Sequence, residues 1–153
     1  MSVFSKMNNK DIVFVDNYLD AFEKEYFYRL KESEQKHCVR VALLAERMAG
    51  DKNLNRNRLV KAGLLHDVGK GIKKINILEK VIMVILNKLF SKKMLVFKGF
   101  DFIDSYYNHG SIGYNVLKSH IRDEKLLEII LYHHSNIEGN AELDIIKYCD
   151  SKN

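Results

Sequence analysis

The sequence of 153 residues predicts an all-α protein, a single compact helical bundle of about six to eight helices. Two observations predict this class: the chain contains no proline, and its apolar residues recur every three or four positions rather than alternating. It also lacks low-complexity tracts and internal repeats, and we expect residues 1–153 to fold as a single domain. A chain of this length can bury roughly two thirds of its unfolded surface around one core.

Apolar stripes place seven helices along the chain, and two glycines mark helix ends. The predicted helices cover approximately residues 11–31, 34–49, 56–68, 76–90, 106–120, 123–134 and 141–150. The first is expected to be one N-terminal packing helix with a single apolar face, formed by Val15, Leu19, Phe22, Tyr26 and Leu30. Gly50 follows the second helix as a C-cap, and the third helix stops at Gly69.

The positive charge is concentrated in one segment. Residues 70–98 contain eight lysines and one acid, Glu79, in a chain whose formal net charge is +5. Such a patch attracts phosphate groups on a nucleotide, a nucleic acid or a lipid surface. Alternatively, the lysines solvate the predicted helix 76–90, or that helix docks on an anionic membrane. The docking face would consist of Ile75, Leu78, Ile82, Ile85 and Leu89, for which ordinary core packing is the preferred interpretation.

Neither a targeting segment nor a membrane span is predicted. The first ten residues have no apolar stretch of signal-peptide length, and no later run approaches the ~18 apolar residues of a spanning helix. We therefore expect the protein in the cytoplasm, where Cys38 and Cys149 stay reduced. Neither cysteine belongs to a CxxC motif, which disfavours a structural zinc site.

Several side chains of metal-ligand type share the inward faces of these helices. His37, for example, lies four residues before Val41 and continues the apolar stripe of the second helix. The group comprises five histidines and two aspartates: His37, His66, His109, His133, His134, Asp67 and Asp150. A single histidine on an apolar face is usually a hydrogen-bonded core residue. Seven such side chains converging from five helices are more simply satisfied together by one or two metal ions.

The donor types and one excluded histidine refine this hypothesis. Histidine and aspartate donors without cysteine suit ions such as Fe, Mn, Co or Zn. His120 follows His109 by eleven residues, which corresponds to about 16 Å along a helix. The two cannot share a metal ion, so we assign His120 to structure or surface.

The order of these motifs resembles a known family. His37, the pair His66-Asp67 and then Asp150 resemble the H…HD…D signature of the HD-superfamily metal-dependent phosphohydrolases. The stretch HDVGK at 66–70 is similar to the HDxGK variant of the central motif. NHGSIGYNVL around His109 and LYHH at 131–134 resemble the additional histidine motifs of the two-metal branch. That branch includes HD-GYP phosphodiesterases and small HD hydrolases of dinucleoside polyphosphates, and the resemblance covers about residues 34–150.

The resemblance implies a fold, a ligand set and catalytic roles. The helices would surround a central site in which His37, His66, Asp67 and Asp150 hold one metal ion. Asp67 would bridge to a second ion held by His109, His133 and His134. Fe or Mn is favoured, with Co, Zn, Mg and Ni as further candidates. Asp67 and Lys70 would carry the catalysis, with Lys70 binding a substrate phosphate.

The expected activity is hydrolysis of a phosphate monoester or diester of a nucleotide or dinucleotide. The alternative is a metal-bound nucleotide sensor or interaction module without turnover. No GYP follows the histidine pair, and only fifteen residues separate His134 from Asp150, which disfavours cyclic di-GMP as substrate. Nucleic acid is not an expected partner, and a homodimer is left open. Cys38 and Cys149 adjoin two expected ligands, which allows a redox pair, but small buried hydrophobes are the preferred interpretation.

Overall fold

A computed structural model describes residues 6–50, 54–72 and 101–153. For residues 101–107 it describes the backbone and not the side chains. Within these ranges the chain forms helices and no strand, which confirms the predicted all-α class. The helices are α1 (Asn9–Tyr18), α2 (Ala21–Phe27), α3 (Glu32–Gly50), α4 (Arg56–Leu65), a 310 turn (Val68–Gly71), α5 (Asp101–Leu117), α6 (Glu124–Tyr132) and α7 (Ala141–Lys152). The predicted helix 76–90, and with it most of the basic segment 71–105, lies outside the described residues.

The predicted helix 11–31 is wrong as a single element, because the chain forms two helices there. Leu19 is extended after α1, and Asp20 then caps α2. The Asp20 carboxylate accepts a hydrogen bond from the Glu23 amide, and the Glu23 carboxylate accepts one from the Asp20 amide, each at 3.0 Å. This reciprocal capping box starts a new helix inside a continuous apolar stripe.

The core forms where α3 crosses α4. Gly63 of α4 lies so close to α3 that an added Cβ would be 2.5 Å from the Cα of Ala42. The remaining helices pack around this pair: α7 against α3, α6 against α4 and α5 against the 310 turn. None of the described helices combines the length and apolarity needed to cross a bilayer.

Arg58 joins three helices at their N-terminal ends. Its Nε lies 2.7 Å from Asp123, the N-cap of α6, and its Nη1 lies 3.0 Å from Glu142 in the first turn of α7. Since Arg58 itself is in the first turn of α4, all three helices start at the same side of the bundle. Their C-terminal ends, which carry His66, His133 and Asp150, therefore converge at the other side.

Three predicted helix ends are shorter in the structure. The third predicted helix ends at Leu65 instead of residue 68, because His66 is its C-cap and a 310 turn follows. The helix predicted to reach residue 134 ends at Tyr132 with His133 as C-cap. The helix predicted to span 106–120 runs from Asp101 to Leu117 and is interrupted at Asn108, immediately before His109.

Candidate metal centre

The seven candidate ligands lie together around the carboxylate of Asp67. They fall into two donor groups, and within each group one ligand atom per residue lies within 4.8 Å of the others. We name them the acidic half, which is His37, His66 and Asp150, and the histidine half, which is His109, His133 and His134 with Asp67. Asp67 faces both halves, since its Oδ2 lies 3.9 Å from His37 Nε2 and its Oδ1 lies 3.0 Å from His109 Nε2.

Two of the histidines are oriented by the same device at the end of a helix. His66 and His133 are the C-caps of α4 and α6, where the last backbone carbonyls have no partner within the helix. The Nδ1 of His66 lies 2.9 Å from the carbonyl of Gly63, and that of His133 lies 2.7 Å from the carbonyl of Ile130. Each Nδ1 must donate to its carbonyl, which leaves the Nε2 lone pair directed at the cluster. Metal-binding histidines are typically held by such a bond from the other ring nitrogen.

The acidic half joins α3 to α7. His37 Nε2 lies 2.9 Å from Asp150 Oδ1, and His66 Nε2 lies 3.7 Å from the same oxygen. Asp150 is in the last turn of α7. Together with the ends of α4 and α6, this places three helix C-termini at the cluster, and the partial negative charge of helix C-termini favours a cation there.

The histidine half depends on two glycines that let backbones approach closely. An added Cβ on Gly69 would lie 1.9 Å from the carbonyl oxygen of His109. One on Gly110 would lie 2.9 Å from the carbonyl of Ile130 and 3.3 Å from the ring of His133. The structure thus explains the glycines of HDVGK and NHG as spacers that bring His109 within 3.0 Å of His133, Nε2 to Nε2.

The electrostatics favour the ionisation states that metal ligands need. Burial opposes ionisation of Asp67, but His66, His109 and Lys70 hold its pKa well below the ordinary range. Burial also opposes ionisation of Asp150, whose pKa is nevertheless held far below its ordinary value by His37 and His66. Burial lowers the pKa of His133 to about 2, so its imidazole is neutral at physiological pH. Both carboxylates are therefore charged and His133 is neutral, as metal coordination requires.

Two buried atoms of the cluster lack a hydrogen-bond partner, and they test whether a metal ion fits there. His66 is fully buried, and its Nε2 makes no hydrogen bond. Asp67 Oδ1 is also buried and accepts no hydrogen bond of acceptable geometry, although His109 Nε2 is near. Leaving such atoms unsatisfied costs about 1–3 kcal/mol each. Coordination would satisfy both, and a set of imidazoles and carboxylates suits Fe, Mn, Co or Zn.

A cavity of about 590 Å³ opens from this cluster. Its volume is in the range of small-molecule binding sites. The lining consists of Ser33, Glu34, His37, Asp67, Lys70, His109, His134 and Asp150. Ser33 and Glu34 were not singled out from the sequence, although Ser33 precedes His37 by four residues on the same helix face. That spacing is the signal that could have identified it.

Lys70 and His120 occupy different environments. Lys70 lines the cavity, and its Nζ lies 2.6 Å from Asp67 Oδ2. Burial opposes its charge, but Asp67 raises the pKa of Lys70, so the ammonium stays protonated. His120, which the sequence excludes as a ligand, is exposed, pairs with Asp20 at 2.8 Å and stacks on Phe22. It is absent from both donor groups of the described residues.

The comparisons with known proteins identify the family of the chain. The model of the HD domain family matches residues 35–152, so the chain belongs to the HD domain family. Ribonuclease Y of Mesoplasma florum is 26% identical to the chain over 110 residues. These residues are 72% of this chain and 16% of that protein, so the chain corresponds to a small part of this relative. No solved structure matches the chain significantly.

Proposed function

We propose that the chain is a metal-dependent phosphohydrolase that hydrolyses a phosphate monoester or diester of a nucleotide or dinucleotide. The observation that carries the proposal is the convergence of five histidines and two aspartates around Asp67, with the fully buried His66 Nε2 lacking a hydrogen bond. Membership of the HD domain family supports this class of activity. The adjoining cavity, which is open to a small phosphorylated substrate, supports it as well.

The two donor groups suggest how the ligands are shared. We assign one ion to His37, His66, Asp67 and Asp150, and a second to Asp67, His109, His133 and His134. Asp67 is common to both sets because its two oxygens face opposite halves. When bound at such a centre, divalent ions polarise a phosphoryl group and make a nearby water more acidic.

Lys70 supplies the positive charge that this part of the cavity wall offers to a phosphate. Its Nζ contacts Asp67 Oδ2, and this ion pair holds the ammonium at the edge of the cluster. An ammonium in this position can donate to a phosphoryl oxygen and stabilise negative charge as the phosphate ester is cleaved. Ser33 and Glu34 also line the cavity, and they offer a hydroxyl and a carboxylate to hydroxyl or amine donors of the leaving group.

RNA is a second candidate substrate, because the relative named Ribonuclease Y matches most of this chain. The internucleotide bonds of RNA are phosphodiesters, which the same centre would cleave. A third reading, a sensor that binds a nucleotide without turnover, would use the same cavity. The three readings differ in product formation and in substrate length.

The deciding experiment is a substrate panel assayed with the protein loaded with Mn²⁺, Fe²⁺, Co²⁺ or Zn²⁺. The panel contains nucleoside monophosphates, cyclic dinucleotides, dinucleoside polyphosphates and a short single-stranded RNA. We expect hydrolysis of a nucleotide or dinucleotide. Cleavage of RNA alone would replace that substrate with the second candidate. Tight binding of a nucleotide without product would replace the enzyme with the sensor.

A matched pair of variants tests the mechanism. Asp67→Ala removes the carboxylate whose two oxygens face the two halves, whereas Asp144→Ala removes an exposed carboxylate on α7. We expect Asp67→Ala to lose both metal content and hydrolysis, and Asp144→Ala to keep both. Retention of turnover and metal by Asp67→Ala, measured by elemental analysis, would contradict the proposal.

A further inference from the structure

The structure brings a third kind of donor to the centre, the thiol of Cys38. Its Sγ lies within 4.8 Å of a ring nitrogen of His66 and a carboxylate oxygen of Asp67. All three side chains are buried. We propose that Cys38, His66 and Asp67 form a site for a thiophilic divalent ion, Zn²⁺ or Cd²⁺, that overlaps the hydrolytic centre. This use of Cys38 differs from the small buried hydrophobe that the sequence favours.

The unpaired nitrogen of His66 distinguishes this cluster from an ordinary buried cysteine. Its Nδ1 is engaged by the carbonyl of Gly63, and its buried Nε2 makes no hydrogen bond. The Oδ1 of Asp67 is a second buried atom of the cluster that makes no hydrogen bond. A bound cation would give both the imidazole nitrogen and the carboxylate oxygen a partner. The thiol lies within 4.8 Å of both groups.

The donor set also determines which ions it prefers. Sulfur ligands select soft or borderline ions, whereas imidazole and carboxylate groups alone also serve Mn²⁺ and Fe²⁺. A set of one sulfur, one nitrogen and one oxygen matches the ligands of Zn²⁺, with a fourth position left for water or a neighbouring side chain. When the metal–sulfur bond forms, the thiol proton leaves to solvent.

Overlap with the proposed hydrolytic centre has a functional consequence, which rests on the proposed function. His66 and Asp67 are among the ligands assigned there, and Asp67 is assigned to both ions. An ion held by Cys38 therefore uses ligands that the hydrolytic pair needs. Zn²⁺ and Cd²⁺ should then inhibit an enzyme that Mn²⁺ or Fe²⁺ supports.

Cys149 provides the matched control. It is the other free cysteine of the chain, it is buried, and it adjoins Asp150 as Cys38 adjoins His37. Its Sγ, however, lies 3.7 Å from the sulfur of Met48, and it belongs to no donor group among residues 6–50, 54–72 and 108–153. The two thiols therefore have similar burial and sequence context but different partners.

The experiment titrates the metal-free chain with Cd²⁺ and follows the ultraviolet thiolate-to-metal charge-transfer band. We expect the band in the wild type and in Cys149→Ser, and its absence in Cys38→Ser. Cys38→Ala is a second variant that keeps a small apolar side chain, and helix content and Mn²⁺ binding verify that each variant is folded. A wild type without the band would overturn the proposal, as would a band that persists in a folded Cys38 variant.

Measuring turnover together with the charge-transfer band separates this proposal from the proposed function. The charge-transfer band requires no turnover, so a chain that binds Cd²⁺ through Cys38 without hydrolysing any substrate overturns the proposed function but supports the thiol site. In an active enzyme, Cys38→Ser should require about tenfold more Cd²⁺ for the same inhibition, since losing even an indirect partner of a metal site weakens affinity by 10–100-fold. Equal sensitivity of wild type and Cys38→Ser would overturn the competition between the two sites.

Discussion

The acidic half and the histidine half meet at Asp67 but are built differently. In the acidic half, carboxylates raise the pKa of His66 even though burial alone would lower it. In the histidine half, burial and neighbouring imidazoles lower the pKa of His133 to about 2. Two histidines held by the same helix-end hydrogen bond thus acquire opposite pKa shifts, because carboxylates surround His66 whereas imidazoles surround His133. Protons should therefore compete with a metal for the acidic half more than for the histidine half.

Removing one ligand from each half should have the largest effect and tests whether the halves hold separate ions. We expect Asp150→Ala and His133→Ala each to lose one ion per chain and to reduce kcat/KM by at least about a hundredfold, because a direct ligand is lost. Elemental analysis with steady-state kinetics measures both quantities. If both ions are lost in one variant and none in the other, the assignment of one ion to each half is wrong.

Lys70 belongs to neither half, and its replacement should leave the metal content unchanged. A charge-assisted contact is worth about 1.5–3 kcal/mol. Lys70→Ala should therefore lower kcat/KM by roughly tenfold to a hundredfold, with partial recovery in Lys70→Arg. Lys118, an exposed lysine after α5, supplies the control variant Lys118→Ala. Unchanged kinetics in a metal-loaded Lys70→Ala would remove Lys70 from the catalytic machinery.

Gly69→Ala should damage the histidine half selectively. Its Cβ would lie 1.9 Å from the backbone oxygen of His109, so that segment must move. Overpacking of this kind costs about 1–3 kcal/mol. Gly50→Ala is the control, because nothing lies within 4 Å of its added Cβ. Denaturant unfolding should show a loss for Gly69→Ala and little change or a gain for Gly50→Ala, and similar losses in both would refute the close-approach argument.

The smallest expected effect is the pH dependence of stability in the metal-free protein. The pKa of His133 is lowered from 6.5 to about 2 on folding, so the unfolded chain binds the proton first and stability falls as pH drops below about 6.5. Asp150 has a pKa held below its ordinary value of 3.8, so its contribution is present above that pH and is lost on further acidification.

Two variants separate the loss of stability that His133 causes from the loss that Asp150 causes. Relative to wild type, His133→Asn should lose less stability between pH 7 and pH 5, whereas Asp150→Asn should lose less below about pH 4. Because His66 has a raised pKa, it acts in the opposite direction and stabilises the folded chain as pH falls. Denaturant unfolding across this pH range measures both differences, and parallel curves for the two variants would contradict the assignment of the two pH ranges to His133 and Asp150.

Much of the architecture follows from helical periodicity. The all-α class and the approximate positions of five of the seven predicted helices agree with the described residues, while the predicted helix 11–31 is divided into two and 76–90 lies outside them. Helix ends do not follow from periodicity, because capping groups such as Asp20 compete with an apolar stripe that continues through them. The same stripe continues through His66, where α4 has already ended.

By itself, the sequence determined which side chains face inward, because a repeat of 3.6 residues assigns each position to a helix face. Six candidate ligands were named on that basis and Asp67 from the HDVGK motif. The six lie around the Asp67 carboxylate, with His134 exposed rather than buried. Only the tertiary structure decided which of two similar cysteines joins them. Cys38 reaches the cluster because α3 and α4 pack closely at Gly63, whereas Cys149 is directed at Met48. The neighbours of a buried side chain depend on how helices cross, and local spacing carries no information about the crossing.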